Sequence, residues 1–391
     1  MSAIPSYQRF CMETINGAKL PDGFPAVSVV VPCRNEARNI AACVYSLLQQ
    51  QAPPGGYEII VADGLSEDGT RSILEKISAE NPVLRVIDNP LRITPCGMNC
   101  GIKAARGRWI AIMGSHNRYA PDYLLRAWEA AERTGADNVG GAMFTEAEGL
   151  IPRAIALSHH SPFSVGGARW HDTAYEGPAD TVFGGFYRRE VFDRIGLFDE
   201  ELVRNQDDEL NLRLTRSGGK IWQTPLVKSW YQPRKSLSAL FSQYKQYGYW
   251  KVRVIQKHRL PASWRHLIPG TFVLGVLLLA LALVLGLLGM LAGAWRAGVP
   301  AALGLCLATC LGSYGVLSLS ASVLTAKAND WSILPVLPLV FLCYHWGYGY
   351  GFLRGAWDFL IRKRTPGTQF SQLTRIDHGP VEKNAEPTCK I

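Results

Sequence analysis

The sequence predicts an α/β protein: a doubly wound, mainly parallel sheet followed by a C-terminal region of apolar helices. Three observations lead there. Between Val27 and Met113, short apolar, β-branched runs alternate with helical stretches at about 30 residues per unit. From Leu267 to Gly355 charge is sparse, and leucine-rich runs reach the ~20 residues a bilayer requires. Between these regions, from Asn211 to His266, lie twelve basic residues and no acidic one.

VSVVV (Val27–Val31) is continuously apolar and β-branched, as a strand buried on both faces should be. Pro32 is expected to end it, and a helix follows over Asn39–Gln51. The second strand is Glu58–Ala62, leading through DGLSEDGT into a helix over Arg71–Ala79. Leu84–Asp88 is the third strand, and Met98–Ala105 a helix that Gly107 stops. Trp109–Met113 is the fourth strand, followed by a helix over Pro121–Thr134 and then a more irregular half. The organisation read from this is a leader (1–25), an α/β domain (26–235), a basic amphipathic interfacial segment (236–266), a transmembrane region (267–355) and a tail (356–391). Expected spans are 271–294, 299–325 and 332–353. The third is less clean, because Pro335, Pro338, His345 and WGYGYGF suit a broken or interfacial segment.

The 391 residues are 48% hydrophobic, which excludes a disordered chain, a collagen-like fibre and a small disulfide scaffold. About three spans are too few for a many-helix transporter. The net charge is 41 − 32 = +9, and its one-sign stretch ends just before the first apolar run. That placement favours anionic membrane lipids over nucleic acid as the partner. Nine cysteines without a Cys-x-x-Cys pair read as reduced thiols, and the N-terminus carries no evident signal peptide. The expectation is a multi-pass protein of the inner (plasma) membrane with its α/β domain in the cytoplasm.

In open α/β sheets ligands bind at the carboxyl ends of the strands, so the residues after Val31, Ala62 and Met113 matter most. After the first strand, Asn35 and Glu36 could hydrogen-bond a base or ribose, though Glu36 could equally cap a helix. Asp63 could accept from a uracil N–H or bond ribose hydroxyls, while Ser66, Asp68 and Thr70 suit caps of the next helix. No Gly-x-Gly-x-x-Gly follows the first strand, which argues against a dinucleotide-dependent dehydrogenase.

VSVVVPCRNEARNI followed by EIIVADGLSEDGT resembles the family 2 inverting glycosyltransferases, which have the GT-A fold and use nucleotide-diphosphate sugars. Gly184-Gly185-Phe186-Tyr187-Arg188-Arg189 with IGLFDE resembles that family's acceptor-side segment, and Gln206-Asp207-Asp208-Glu209-Leu210 resembles its Glu-Asp-x-Asp-Leu motif. The order WYQPRKSL, QYKQYGYWK and a membrane tail is most similar to the succinoglycan-biosynthesis type. The resemblance implies Pro32, Asn35, Glu36 and Asp63 at the donor nucleotide, and Asp207 as the base that takes the acceptor's proton. An acidic cluster at a helix start is also what the macrodipole favours. Gly185, Asp208, Arg234, Gln246 and Trp250 fall at the diphosphate and acceptor positions. In the Gln-x-x-Arg-Trp pattern Tyr249 stands where Arg is expected, with Lys251 beside it, and an aromatic interfacial helix would read the same way.

One departure follows the fourth strand. The family's Asp-x-Asp, which holds Mn²⁺ or Mg²⁺, is Gly114-Ser115-His116 here. His116 keeps the metal-ligand position, and imidazole suits Mn²⁺ better than Mg²⁺. Asn117, Arg118 or the basic stretch could otherwise neutralise the diphosphate. The implied activity is transfer of a sugar from a UDP-sugar or similar donor to a lipid-linked, polyprenyl-diphosphate acceptor in polysaccharide biosynthesis. A processive polysaccharide synthase and a catalytically impaired sugar-nucleotide-binding partner are the alternatives.

Overall fold

The computed structural model describes residues 24–364 and Phe370. It divides into two compact units: one formed by the chain up to Pro233 together with Leu324–Ile333, the other by Arg234–Val323 together with the chain from Leu334.

In the first unit, β1 (Val27–Cys33), α1 (Ile40–Leu48), β2 (Tyr57–Asp63), α2 (Thr70–Glu80), β3 (Leu84–Asp88), α3 (Thr94–Ala104) and β4 (Trp109–Ile112) alternate as the sequence predicts. β5 (Asn117–Tyr119), α4 (Tyr123–Thr134), β6 (Asn138–Gly141), β7 (Met143–Thr145), α5 (Leu150–Ser158), α6 (Pro162–Val165) and β8 (Gly177–Pro178) follow. The unit continues through β9 (Phe183–Arg188), α7 (Arg189–Ile195), α8 (Gln206–Arg216), β10 (Ile221–Gln223) and β11 (Ser229–Tyr231). Eight strands form one sheet in the order β3-β2-β1-β4-β9-β6-β10-β8. β1 pairs parallel with both β2 and β4, while β9 runs antiparallel between β4 and β6. β5, β11 and β7 make a second, three-stranded sheet.

Successive β1 side chains supply opposite faces. Val29 and Val31 join the core under α1, α2 and α4, with Ile40, Leu47, Leu74 and Trp128. Val30 joins the other core, with Ile102, Ile110, Leu210 and Leu214. The chain leaves β1 for β2 and β3, then returns to place β4 on the other side of β1. The strand order therefore reverses between β1 and β4, and a crevice opens there.

β1 runs past the expected stop at Pro32 to Cys33, which pairs with Asp63. β4 pairs with β1 only as far as Val30, so beyond that point β1 is an edge and the missing proline N–H costs no ladder bond.

The second unit contains α9 (Leu237–His258), α10 (Ile268–Leu291), most of α11 (Gly298–Ala328) and α12 (Leu337–Ala356). Ser236 caps α9, its side chain accepting from the Ala239 N–H at 3.2 Å. Among the described residues two helical stretches, Trp264–Leu291 and Gly298–Ala328, are long and apolar enough to cross a membrane. Many α10 leucines are exposed, among them Leu277, Leu278, Leu281 and Leu288. The third segment expected as a span folds as α12 and falls outside that set.

Candidate active site

The loops after β1 and β2 are fastened to each other. The Asn35 N–H donates to Ser66 Oγ at 2.9 Å, and Asn35 Oδ1 accepts from the Glu67 N–H at 3.0 Å. The Glu36 N–H donates to Thr70 Oγ1 at 2.8 Å, and the Ala37 N–H to Asp68 Oδ2 at 3.0 Å. Asn35 holds φ 54°, a left-handed conformation Asn tolerates. Ser66 and Thr70 thus bind the neighbouring loop rather than simply capping α2, as the sequence suggested.

Asp63 lies beneath this junction, its side chain 1% exposed. It accepts from Ser66 Oγ at 2.5 Å and from the Cys33 thiol at 3.8 Å, with the Arg71 guanidinium 3.6 Å away. Burial, then the charges of Asp63 and Glu36, push the Cys33 thiol far up, so it stays protonated and donates. Pro32 is buried in the same strand end.

His116 follows β4 across the crevice. Its Nδ1 lies 3.0 Å from Glu36 Oε1, and Asn39 donates to Glu36 Oε2 at 2.9 Å. The structure thus joins the residue expected at the metal to one expected at the nucleotide. The Tyr231 ring lies 6.0 Å from the His116 ring and 6.3 Å from that of His159, centroid to centroid. Sequence reasoning passed over Tyr231, although it opens the Tyr-x-Pro-Arg segment that singled out Arg234. His159 is buried, and desolvation followed by the neighbouring His160 takes its pKa down to about 3, so it is neutral. Arg118 is engaged elsewhere: it pairs with Glu146 at 2.8 Å and stacks 4.5 Å over Trp230.

Among the described residues no three His, Cys, Asp or Glu side chains converge on a cation position. His116 and Glu36 together offer one nitrogen and one carboxylate, a set suited to Mn²⁺ when a donor diphosphate supplies further oxygens. With its Nδ1 on a carboxylate, the His116 ring has the orientation found in carboxylate–histidine–metal arrangements.

Gly185 pairs with Ile112 at the carboxyl end of β4. A Cβ there would lie 2.0 Å from the Tyr187 ring, so only glycine fits. Tyr187 donates to Asn211 Oδ1 at 3.1 Å. Burial, then the negative charge of Asp207, push its phenol far up. Asp207 is therefore within electrostatic reach of the β9 edge. It lies in the first turn of α8 as an exposed residue, with Asp208 half-buried beside it. Glu209 is spent differently: 3% exposed, it accepts from Arg213 Nε and Nη2, both at 2.8 Å. Arg213 in turn donates to the carbonyls of Ile195, Gly196 and Leu197.

In the second unit Arg234 is 9% exposed and donates to Gln243 Oε1 at 3.1 Å. Gln246 is 2% exposed. Trp250 is buried too, and its indole N–H donates to the Phe370 carbonyl at 2.9 Å. Tyr249 stacks on the Phe370 ring at 3.8 Å and donates to Asp358 Oδ2 at 3.2 Å.

The sheet thus reverses between β1 and β4, with Glu36 and His116 at the reversal and the acidic start of α8 near the β9 edge, and its fold is that of the GT-A glycosyltransferases. The chain belongs to glycosyltransferase family 2, whose model matches residues 28–196. It is 32% identical over 336 residues to the succinoglycan biosynthesis protein ExoA of Rhizobium meliloti (strain 1021), covering 85% of this chain and 96% of that one. It is 28% identical over 247 residues to the dolichyl N-acetyl-alpha-D-glucosaminyl phosphate 3-beta-D-2,3-diacetamido-2,3-dideoxy-beta-D-glucuronosyltransferase of Methanococcus voltae, covering 61% of this chain and 76% of that one. The mannosyltransferase PcManGT from Pyrobaculum calidifontis, solved in complex with GDP-Man and Mn²⁺, shares the fold. Its TM-score is 0.53 at 17% identity, over 90% of this chain and 93% of that one.

Proposed function

We propose that this glycosyltransferase is a membrane-bound inverting enzyme of polysaccharide biosynthesis. It moves one sugar from a nucleotide-diphosphate donor, most simply a UDP-sugar, to a polyprenyl-diphosphate-linked glycan. The catalytic unit faces the cytoplasm at the inner membrane, and the basic residues just before the first apolar run, Lys257, Arg259 and Arg265, meet anionic headgroups. ExoA and the dolichyl-linked transferase, both similar over most of their own length, support the polysaccharide and lipid-linked parts of this reading.

The observation that carries it is the Glu36–His116 pair at the β1/β4 reversal. Pro32, Asn35 and Asp63 form the nucleotide floor, with Asp63 rigidly oriented by Ser66. Glu36 and His116 face the diphosphate, where a divalent cation would take up charge as it leaves. Asp207 accepts the proton of the acceptor hydroxyl while that oxygen attacks the anomeric carbon and the nucleoside diphosphate departs, inverting the centre. Gly185 keeps the acceptor side open, and Asp208 flanks it. Arg234 and Gln246 are assigned to the diphosphate. Trp250 is assigned to the acceptor side by support of α9, since its indole N–H is engaged by Phe370.

The test is a donor screen on membranes carrying the chain, following nucleoside-diphosphate release and product length. One donor consumed with addition of a single sugar is expected. A long polymer would mean a processive synthase. Tight donor binding without any turnover would mean a sugar-nucleotide-binding partner.

A further inference from the structure

Resting on the membrane-bound reading above, we propose that α12 does not cross the bilayer. It lies with α9 on the catalytic side as a platform for anionic lipid, completed by Arg362, Lys363 and Arg364. Only α10 and α11 then span.

The argument begins with α9. Lys245, Lys251, Arg253 and Lys257 fall within its 22 residues, and a helix so charged does not lodge in hydrocarbon. α12 is locked to it at backbone contact. A Cβ at Gly347 would come 2.9 Å from the Phe241 carbonyl oxygen, one at Gly351 1.9 Å from that of Lys245, and one at Gly355 2.6 Å from that of Tyr249. These three partners keep one offset along the two helices, since 347 − 241, 351 − 245 and 355 − 249 are equal. The helices therefore run parallel at a shared depth, and if α9 stays out of the hydrocarbon so does α12. Phe370 also lies against α9, accepting from Trp250 and stacking on Tyr249.

The end of α11 fixes the side on which α12 begins. Leu324–Ile333 belongs to the same compact unit as the β-sheet. There Asp330 pairs with Arg153 of α5, and Ile333 is fully buried. α11 therefore returns the chain to the catalytic side, and α12 starts from there.

The exposed edge after α12 has the composition of an interfacial segment. Trp357, Leu360 and Ile361 are 43%, 51% and 64% exposed, and Arg362 sits 5.4 Å over the Trp357 ring. Apolar and aromatic residues followed at once by three cations match headgroups above acyl chains. Three crossings would strand those cations on the far side from the basic α9, against the positive-inside tendency; two crossings put both on one side.

The test uses the full chain with one epitope tag after Ile391 and another in the Pro53–Gly56 loop of the catalytic unit. Protease applied to inside-out and right-side-out vesicles should remove both tags from the same face. Removal from opposite faces overturns the topology. Hydrogen exchange over 350–364 is then compared in phosphatidylcholine nanodiscs with and without phosphatidylglycerol. The anionic lipid should slow it by roughly five-fold for each basic residue engaged. The triple variant Arg362→Glu, Lys363→Glu, Arg364→Glu should abolish that slowing. Exchange indifferent to phosphatidylglycerol, with both tags on one face, overturns the lipid platform alone. A chain released whole by alkaline carbonate would instead defeat the membrane-bound reading on which the proposal rests.

Discussion

Asp207→Asn and Glu209→Gln should fail in opposite ways, although the two acids lie two residues apart on one helix. Residues so spaced do not share a helix face. Asp207 is exposed on the first turn of α8, so losing its charge forfeits about 0.3–1 kcal/mol of macrodipole interaction. As general base its loss should lower turnover by about 10²–10⁴-fold with donor affinity largely retained. Glu209 is buried and holds Arg213 through two bonds at 2.8 Å, while Arg213 ties down three carbonyls at the C-terminal end of α7. Glu209→Gln leaves that guanidinium without its counter-charge. Breaking a pair of this kind costs about 3–5 kcal/mol when fully buried. Arg213 is 22% exposed, which brings the expected loss to about 2–3 kcal/mol. The assay is thermal unfolding of detergent-solubilised protein beside nucleoside-diphosphate release. An Asp207→Asn variant that melts far below wild type, or a Glu209→Gln variant that melts normally yet is inert, would refute this division. Normal turnover in Asp207→Asn with Asp208→Asn crippled would move the base by one residue.

Four further outcomes are expected. Glu36→Gln should reduce Mn²⁺-dependent donor binding by about 10–100-fold through the loss of His116 orientation, read by calorimetry with and without the ion. Burial alone would raise the Glu58 carboxyl, but bonds from Arg106 and Ser28 and the charge of Arg85 outweigh it and hold it below its ordinary value. Its contribution is therefore present above the ordinary carboxylate range and lost as pH falls through the depressed value; Glu58→Gln should remove that part of the acid dependence of melting. His159, neutral when folded, should cost up to about 1.4 kcal/mol for each pH unit below 6.5 down to about 3, because the unfolded chain takes up its proton; His159→Gln should flatten that slope. Gly351→Leu places a Cβ on the Lys245 carbonyl and should separate α9 from α12, seen as loss of a single species in detergent.

The first four strands were legible because buried parallel strands read as unbroken β-branched runs, and their helices as clear periodicity. The second half was not. β6 is Asn-Val-Gly-Gly, and β10 and β11 are three residues each, too short for any period to register. Those strands are fixed by partners far along the chain, as Gln223 of β10 is by Gly140 of β6. The site divides in the same way. Asp63 and Asp207 stand out by their local setting, one at a strand end and the other at a helix start. That Glu36 and His116 meet, 80 residues apart, follows only from β1 and β4 being neighbours. For Trp250 the local pattern offered an acceptor-side or an interfacial aromatic, and it could not show that the indole N–H is taken by the Phe370 carbonyl, 120 residues downstream.

With the loops after β1 and β2 proposed as the nucleotide floor, the four bonds between them, with a fifth from the Gly64 N–H to the Cys33 carbonyl at 2.8 Å, would bear on how the enzyme chooses its donor. A floor already braced by its own chain has little conformational entropy left to surrender when a nucleotide arrives, so affinity is not drained by ordering the loops. The same bracing makes the floor intolerant. A base of different outline cannot be accommodated by one loop moving alone, because each is anchored to its neighbour. Changes in donor preference should therefore need paired substitutions, one from each loop, and such pairs should depart from additivity.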